Sequence, residues 1–274
     1  MNVRELTLGP PVTIAPLATT DEAITLMWRH DVRHLLVADR DGLVGVVTDG
    51  DLLESVGMLM RAERECLAAG ACEEILVADV MDAEASCVSP ETPLTDAAHY
   101  MIYGGRSALP VIIGTRLAGI VTESDLLGLF SGPEGPGWAA MHEEPVINHS
   151  SRMLRTVSRD DRVRKVCEKL NGSKHRSVLV VENGRLSGIV SDWDVRMAIG
   201  RSKVGEWLNL PLAEIMVANP RTLRPDDTLD AAARLMRDHG LVAVPVTTPD
   251  GLLMSVITVT DLLRVFVADA VIHA

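Results

Sequence analysis

Aromatic side chains are scarce in this 274-residue chain, 3% of the total with two Phe, two Tyr and four Trp. A ring platform for stacking single-stranded bases is therefore poorly supplied. Apolar runs are short as well, each broken well before the roughly 18 residues that span a bilayer, so no membrane helix is expected. The stretch Met1 to Glu5 lacks the apolar centre of a signal peptide, and a cytoplasmic location is expected. Cysteine is limited to Cys66, Cys72, Cys87 and Cys167 without a C-x-x-C pair, which speaks against a zinc or redox motif and fits a reducing compartment. Histidine offers no metal constellation either, since His30 and His34 straddle an expected helix end. Runs of Lys and Arg are also missing. With 26 basic against 38 acidic residues the net charge is −12, and nucleic acid is not an expected partner.

The 47% of hydrophobic residues that remain come mainly from Val, Leu, Ile, Ala and Met, enough for one large or two medium domains with an aliphatic core. A single pattern recurs four times along them: a Gly or small residue, two apolar residues, a hydroxyl residue, two variable positions and an Asp. The copies are Gly45-Val46-Val47-Thr48-Asp49-Gly50-Asp51, Gly119-Ile120-Val121-Thr122-Glu123-Ser124-Asp125, Gly188-Ile189-Val190-Ser191-Asp192-Trp193-Asp194 and Ser255-Val256-Ile257-Thr258-Val259-Thr260-Asp261. Their last Asp residues are 74, 69 and 67 positions apart, too long for the usual solenoid units and suited to small duplicated domains.

Each copy closes a predicted hairpin, because Asp41-Gly42, Gly114-Thr115, Asn183-Gly184 and Asp250-Gly251 separate β-rich runs. Upstream lies a helical apolar spacing entered through Thr or Asp, with Gly104, Gly172 and Gly240 expected to stop three of these helices. A short strand precedes each helix and another helix follows each Asp. The unit order is strand, helix, strand, strand, helix. The richest Gly/Pro stretch, Ser131 to Gly137, predicts a linker, and Leu52 to Leu76 reads as a helix extended into a connection.

These residues resemble the CBS domain, named for cystathionine β-synthase. The resemblance rests on unit length, element order, the four matched segments, and the lead-ins Val77-Ala78-Asp79-Val80-Met81 and Leu212-Ala213-Glu214-Ile215-Met216. It implies an α/β (α+β) fold of four CBS units in β-α-β-β-α order, paired into two pseudo-twofold Bateman modules. The expected units are residues 1–70 and 71–130, then a linker at 131–145, then 146–205 and 206–274. It further implies a homodimer or a disc-like assembly within the chain.

A carboxylate at a helix start beside a strand end can accept hydrogen bonds from a ribose diol, and the helix N-terminus favours a phosphate. On the resemblance, Asp51, Asp125, Asp194 and Asp261 hold the ribose of an adenosine compound, assisted by Thr48, Thr122, Ser191 and Thr258. Ile14, Val88, Val157 and Leu223 would then sandwich the adenine. Arg33, His34, Arg106, Lys174, His175 and Arg176 are the expected phosphate contacts, with none in the fourth unit, where Leu241-Val242-Ala243 stand. The alternative is plain: Thr and Asp cap the following helix, and the aliphatic residues are ordinary core. The implied function is a non-catalytic sensor of AMP, ADP, ATP or S-adenosylmethionine with no required cofactor, acting on an unknown downstream protein. No nucleophile elbow, P-loop or dinucleotide fingerprint supports an enzyme. A structural assembly module without any metabolite is the other reading.

Overall fold

The computed structural model describes residues 1–6, 11–53, 75–130, 143–170, 176–201 and 206–272. The Gly/Pro linker, most of the 52–76 connection, Gly172, Lys174, His175, Cys66 and Cys72 lie outside the described residues.

Unit 1 contains β1 (Thr13–Ile14), α1 (Thr20–His30), the hairpin β2 (His34–Asp39) and β3 (Gly42–Thr48), and the start of α2 at residues 49–53. Helix α1 begins where Thr19 Oγ1 accepts the Glu22 N–H at 3.2 Å while the Glu22 carboxylate accepts the Thr19 N–H at 2.8 Å, a reciprocal cap. Unit 2 runs through the lead-in α3 (Val77–Val80), α4 (Leu94–Gly104), the hairpin β4 (Ala108–Ile113) and β5 (Arg116–Thr122), and α5 (Glu123–Phe130). Gly104 closes α4, and Gly105 supplies the left-handed residue after it.

Unit 3 has β6 (Thr156–Val157), α6 (Val163–Leu170), β7 (Ser177–Glu182), β8 (Arg185–Ser191) and α7 (Asp192–Arg201). Unit 4 follows with β9 (Val217–Ala218), α8 (Leu229–His239), β10 (Ala243–Thr247), β11 (Leu253–Thr258) and α9 (Val259–Ile272). The hairpins are antiparallel, and β1 and β6 add in parallel to β2 and β7. In units 2 and 4 the same parallel contact shrinks to the bridges Val88 to Val111 and Leu223 to Val246. The Asn183–Gly184 turn needs positive φ at both residues, 51° and 79°, which that pair tolerates at low cost. The mixed α+β fold repeats four times.

Pairing is fixed by exchanged lead-ins. The short helix Val3–Glu5 sits on unit 2, where the Val3 N–H reaches Thr92 O at 2.9 Å, while α3 sits on unit 1 through Val77 N–H to Ala18 O at 2.8 Å. Units 3 and 4 do the same: the Val146 N–H reaches Asp227 O at 2.8 Å, and the Leu212 N–H reaches Asp161 O at 3.1 Å. The glycine before the motif follows from this exchange. A Cβ on Gly45 would stand 2.8 Å from both Asp82 O and Met81 Sδ, and one on Gly188 2.8 Å from Met216 Sδ. In unit 4 the position is Ser255, and the facing lead-in answers with Ser150, hydroxyl to hydroxyl at 2.7 Å.

The two modules then meet helix against helix. Helices α4 and α5 of unit 2 pack on α8 and α9 of unit 4 in one continuous core that includes Leu126, Leu127, Leu262, Leu263 and Phe266. Units 1 and 3 keep separate cores, joined by α1 against α7 and by Leu53, which reaches into the unit 3 cluster.

Candidate functional site: a cavity shared by four units

At the centre, residues from all four units enclose a cavity of about 630 Å³. Thr48, Asp51, Arg106, Arg176, Thr258 and Asp261 line it. Thr122, Asp125, Ser191, Asp194, Arg33 and His34 are not among its described lining residues. Ile14, Val88, Val157 and Leu223 are buried in the unit cores, and the cavity draws its aliphatic wall from Val46, Leu53, Leu179 and Val256 instead.

The motif hydroxyl and carboxylate cap the following helix in every unit. Asp51 Oδ2 accepts the Thr48 N–H at 2.7 Å, and Thr48 Oγ1 accepts the Asp51 N–H at 3.2 Å. The corresponding distances are 2.8 and 3.3 Å for Thr122 and Asp125, 2.7 and 3.3 Å for Ser191 and Asp194, and 3.0 and 3.3 Å for Thr258 and Asp261. The cap uses Oδ2, so Oδ1 can face other partners, as Asp261 Oδ1 does with Arg264 at 2.7 Å. Capping and ligand contact are thus compatible. Burial raises the Asp194 carboxyl above its usual range against the Ser191 hydrogen bonds, with Asp192 adding to the rise.

The basic residues differ in their commitments. Arg106 stays within unit 2, bonding Asp82 at 2.8 Å, Ser86 at 3.2 Å and the Glu84 carbonyl at 3.0 Å. Arg176 spans three units: its Nε donates to Asp192 Oδ2 at 2.9 Å, its Nη1 to Ser107 Oγ at 2.8 Å, and its Nη2 pairs with Asp49 Oδ1. His34 Nε2 meets the same Ser107 hydroxyl at 2.7 Å. Burial first, then Arg176, Arg33 and Arg196, lowers the His34 pKa to about 3, so the ring is neutral and its Nε2 can accept the Ser107 proton. Arg33 and Arg196 lie 5.8 and 4.1 Å from the centre of the Trp193 ring.

Asp49, Asp192 and Ser107 were not singled out by sequence reasoning. The signal was present, since the residue after the motif hydroxyl is acidic in three copies, Asp49, Glu123 and Asp192, and Val259 in the fourth. Glu123 accepts from Thr260 Oγ1 across the unit 2–4 boundary at 2.7 Å, and burial raises its pKa despite that bond.

A family model described as the CBS domain matches residues 3–57, 77–132, 140–201 and 212–268. The chain belongs to the CBS-domain family. This CBS-domain chain is 24% identical over 280 residues to the uncharacterized protein MJ1404 of Methanocaldococcus jannaschii, covering 97% of this chain but 62% of that relative. It therefore spans somewhat less than two thirds of MJ1404. Protein MJ1225 of the same organism is 23% identical over 273 residues, covering 93% of this chain and 95% of its own. The crystal structure of MJ1225 superposes with a TM-score of 0.85 at 21% identity, covering 97% of this chain and all of that one. An uncharacterized conserved protein from Pyrococcus horikoshii superposes at 0.64 with 22% identity over 97% of this chain. Both structures share the four-unit fold.

The electrostatics of this CBS cavity are nearly balanced. Among its described lining residues, Arg106, Arg155, Arg176 and Arg264 face Asp51, Asp82, Glu123, Asp192 and Asp261. An anion entering it meets three guanidiniums that already hold carboxylates, those of Arg106, Arg176 and Arg264, and a fourth, Arg155, that donates to the Lys169 carbonyl.

Proposed function

We propose that this CBS-domain protein is a non-catalytic regulatory sensor whose central cavity takes an adenosine-containing ligand: AMP, ADP, ATP or S-adenosylmethionine. The observation that carries the reading is the convergence of Thr48, Asp51, Thr258, Asp261, Arg106 and Arg176 on one cavity of about 630 Å³, a size ordinary for small-molecule sites. In this reading Asp51 and Asp261 accept the ribose hydroxyls, the aliphatic wall flanks the base, and Arg106 and Arg176 meet the phosphate. The Arg264–Asp261 pair is solvent-exposed on its arginine side, so it gives way at little cost. Nearly balanced charge favours ligands with few phosphates over ATP.

A ligand touching several units changes their relative orientation, and so the surface offered to a downstream protein or a second copy, provided it binds one arrangement more tightly than the other. The reading places the sensor in the cytoplasm. Among the described residues no helix is long and apolar enough to cross a membrane.

Thermal-shift and calorimetric titration with the four ligands test the proposal. A ligand at about 100 times its Kd stabilises the native state by about 2.7 kcal/mol, easily seen as a higher Tm. Asp51→Asn and Asp261→Asn keep a capping side chain and are expected to weaken binding. No shift and no heat with any of the four at millimolar concentration would leave the assembly-module reading, which the four capping boxes already satisfy.

A further inference from the structure

Arg33 and Arg176 occupy the same place in their repeats. Each precedes the first strand of the hairpin, and each main-chain carbonyl accepts the N–H of the acidic residue after the motif hydroxyl: Asp49 to Arg33 at 3.1 Å, Asp192 to Arg176 at 3.0 Å. Their side chains are nevertheless in unequal states. Arg176 holds both carboxylates, Asp192 at 2.9 Å and Asp49 through Nη2. Arg33 forms no ion pair among the described residues, and its Nη1 is buried without a hydrogen-bond partner. Asp49 is 2% exposed, and its Oδ2 is likewise buried without one. A buried donor and a buried acceptor thus stand unpaired on two residues already tied by a main-chain bond, an arrangement that costs free energy until it is resolved.

Building on the adenosine reading of the cavity, we infer that Arg33 is a positioning residue for phosphate recognition: when a phosphate-bearing adenosine ligand engages Arg176, Asp49 passes from Arg176 to Arg33. The exchange keeps the number of ion pairs constant, gives Asp49 the pairing that Asp192 already makes with Arg176 at the equivalent place in unit 3, and turns Arg176 Nη2, itself buried without a hydrogen-bond partner among the described residues, toward the ligand. Without it, Nη2 of Arg176 stays on Asp49 and cannot turn to a phosphate. A ligand without phosphate offers Arg176 nothing better than Asp49 and leaves the pair intact. Because Asp49 belongs to unit 1 and Arg176 to unit 3, the exchange loosens a tie between modules only for phosphorylated ligands.

Calorimetry with AMP and adenosine on the full chain and on Arg33→Met, Asp49→Asn and the double variant tests this, the readout being the preference for AMP over adenosine. Arg33→Met is expected to lower the preference about five- to tenfold, Asp49→Asn to raise it by a similar factor, and Arg33→Met to have no further effect beside Asp49→Asn. Arg33→Lys keeps a cation for Asp49 and is expected to restore most of the preference; it also carries the test if the Met variant does not fold. An Arg33→Met effect of the same size with and without the Asp49 carboxylate overturns the exchange. So does a preference that no variant moves while both ligands still bind, and in that case the adenosine reading survives. Failure of the folded wild type to bind either ligand removes the adenosine reading, and the exchange with it.

Discussion

Between units 2 and 4 the modules meet through Leu126, Leu127, Leu262, Leu263 and Phe266 in one shared apolar core, with the Thr260–Glu123 hydrogen bond beside it, whereas units 1 and 3 meet through Arg176, Arg196, Trp193 and Asp49 around separate cores. The apolar seam gains free energy from every contact and has no preferred partner to exchange. The polar seam holds buried donors and an acceptor without partners among the described residues, and each of them costs free energy in the present arrangement. The contrast follows from sequence. At the position before the hairpin and the position after the hydroxyl, unit 4 has Val242 and Val259 where unit 3 has Arg176 and Asp192. One pair of units is fixed to the other by burial while the opposite pair is poised, which is what a cavity between them needs if it is to report on its contents.

The strongest way to break this comparison is to open the apolar seam. Phe266 is 2% exposed in the shared core, and Phe266→Ala should cost about 3–5 kcal/mol in denaturant unfolding. A loss below about 1 kcal/mol would mean that units 2 and 4 do not share a core. A smaller effect separates pairing within a module from packing between modules. Gly45→Val places a branched side chain where a Cβ alone would lie 2.8 Å from the Asp82 carbonyl, and should cost about 1–3 kcal/mol. Wild-type stability in that variant would dismiss the exchanged lead-in as the reason for the glycine.

Much of this was legible in the sequence because it lives in local chemistry. Asn183-Gly184 specifies a turn, Thr228 specifies a helix start, and the period of the hydroxyl–Asp segments specifies four units, whereas the first helix, expected to begin at Thr20-Asp21, is capped one residue earlier by Thr19. The exchanged lead-ins were visible only as Val77–Met81 and Leu212–Met216; that Met81 and Met216 explain Gly45 and Gly188 needed the three-dimensional contact. The site was less legible for a similar reason. Four equivalent Asp residues look alike along the chain, yet the packing of the modules brings Asp51 and Asp261 to the cavity and leaves Asp125 and Asp194 off its described lining. Asp31 shows a local substitution of another kind, taking at φ 52° the left-handed role that Gly240 fills in unit 4.

The polar seam is sharpened by pH. His34 titrates near 6.5 in an unfolded chain but at about 3 in the folded one, so the unfolded state gains a proton that the folded state refuses. Stability is therefore full above about pH 7, declines as pH falls through 6.5, and goes on declining toward 3. Relative to His34→Asn, the wild type should lose on the order of 1 kcal/mol between pH 6 and pH 5. Parallel pH profiles for the two proteins would place His34 outside the charged cluster.

The smallest expected change comes from the most buried cation of that seam. Arg196 is 4% exposed; Nη1 donates to Met27 Sδ at 2.9 Å and to the Val32 carbonyl at 3.5 Å, while Nε and Nη2 have no hydrogen-bond partner among the described residues. Burial lowers its pKa to about 10, so it remains charged at neutral pH and bears the cost of its desolvation. Arg196→Met removes the unpaired donors and gives up the cation–π contact with Trp193 and the hydrogen bonds to Met27 Sδ and the Val32 carbonyl. These terms oppose one another, and the unfolding free energy should stay within about 1 kcal/mol of wild type. A loss above about 2 kcal/mol would show that the guanidinium braces units 1 and 3 as firmly as the leucines brace units 2 and 4, and the contrast between a fixed seam and a poised one would fall.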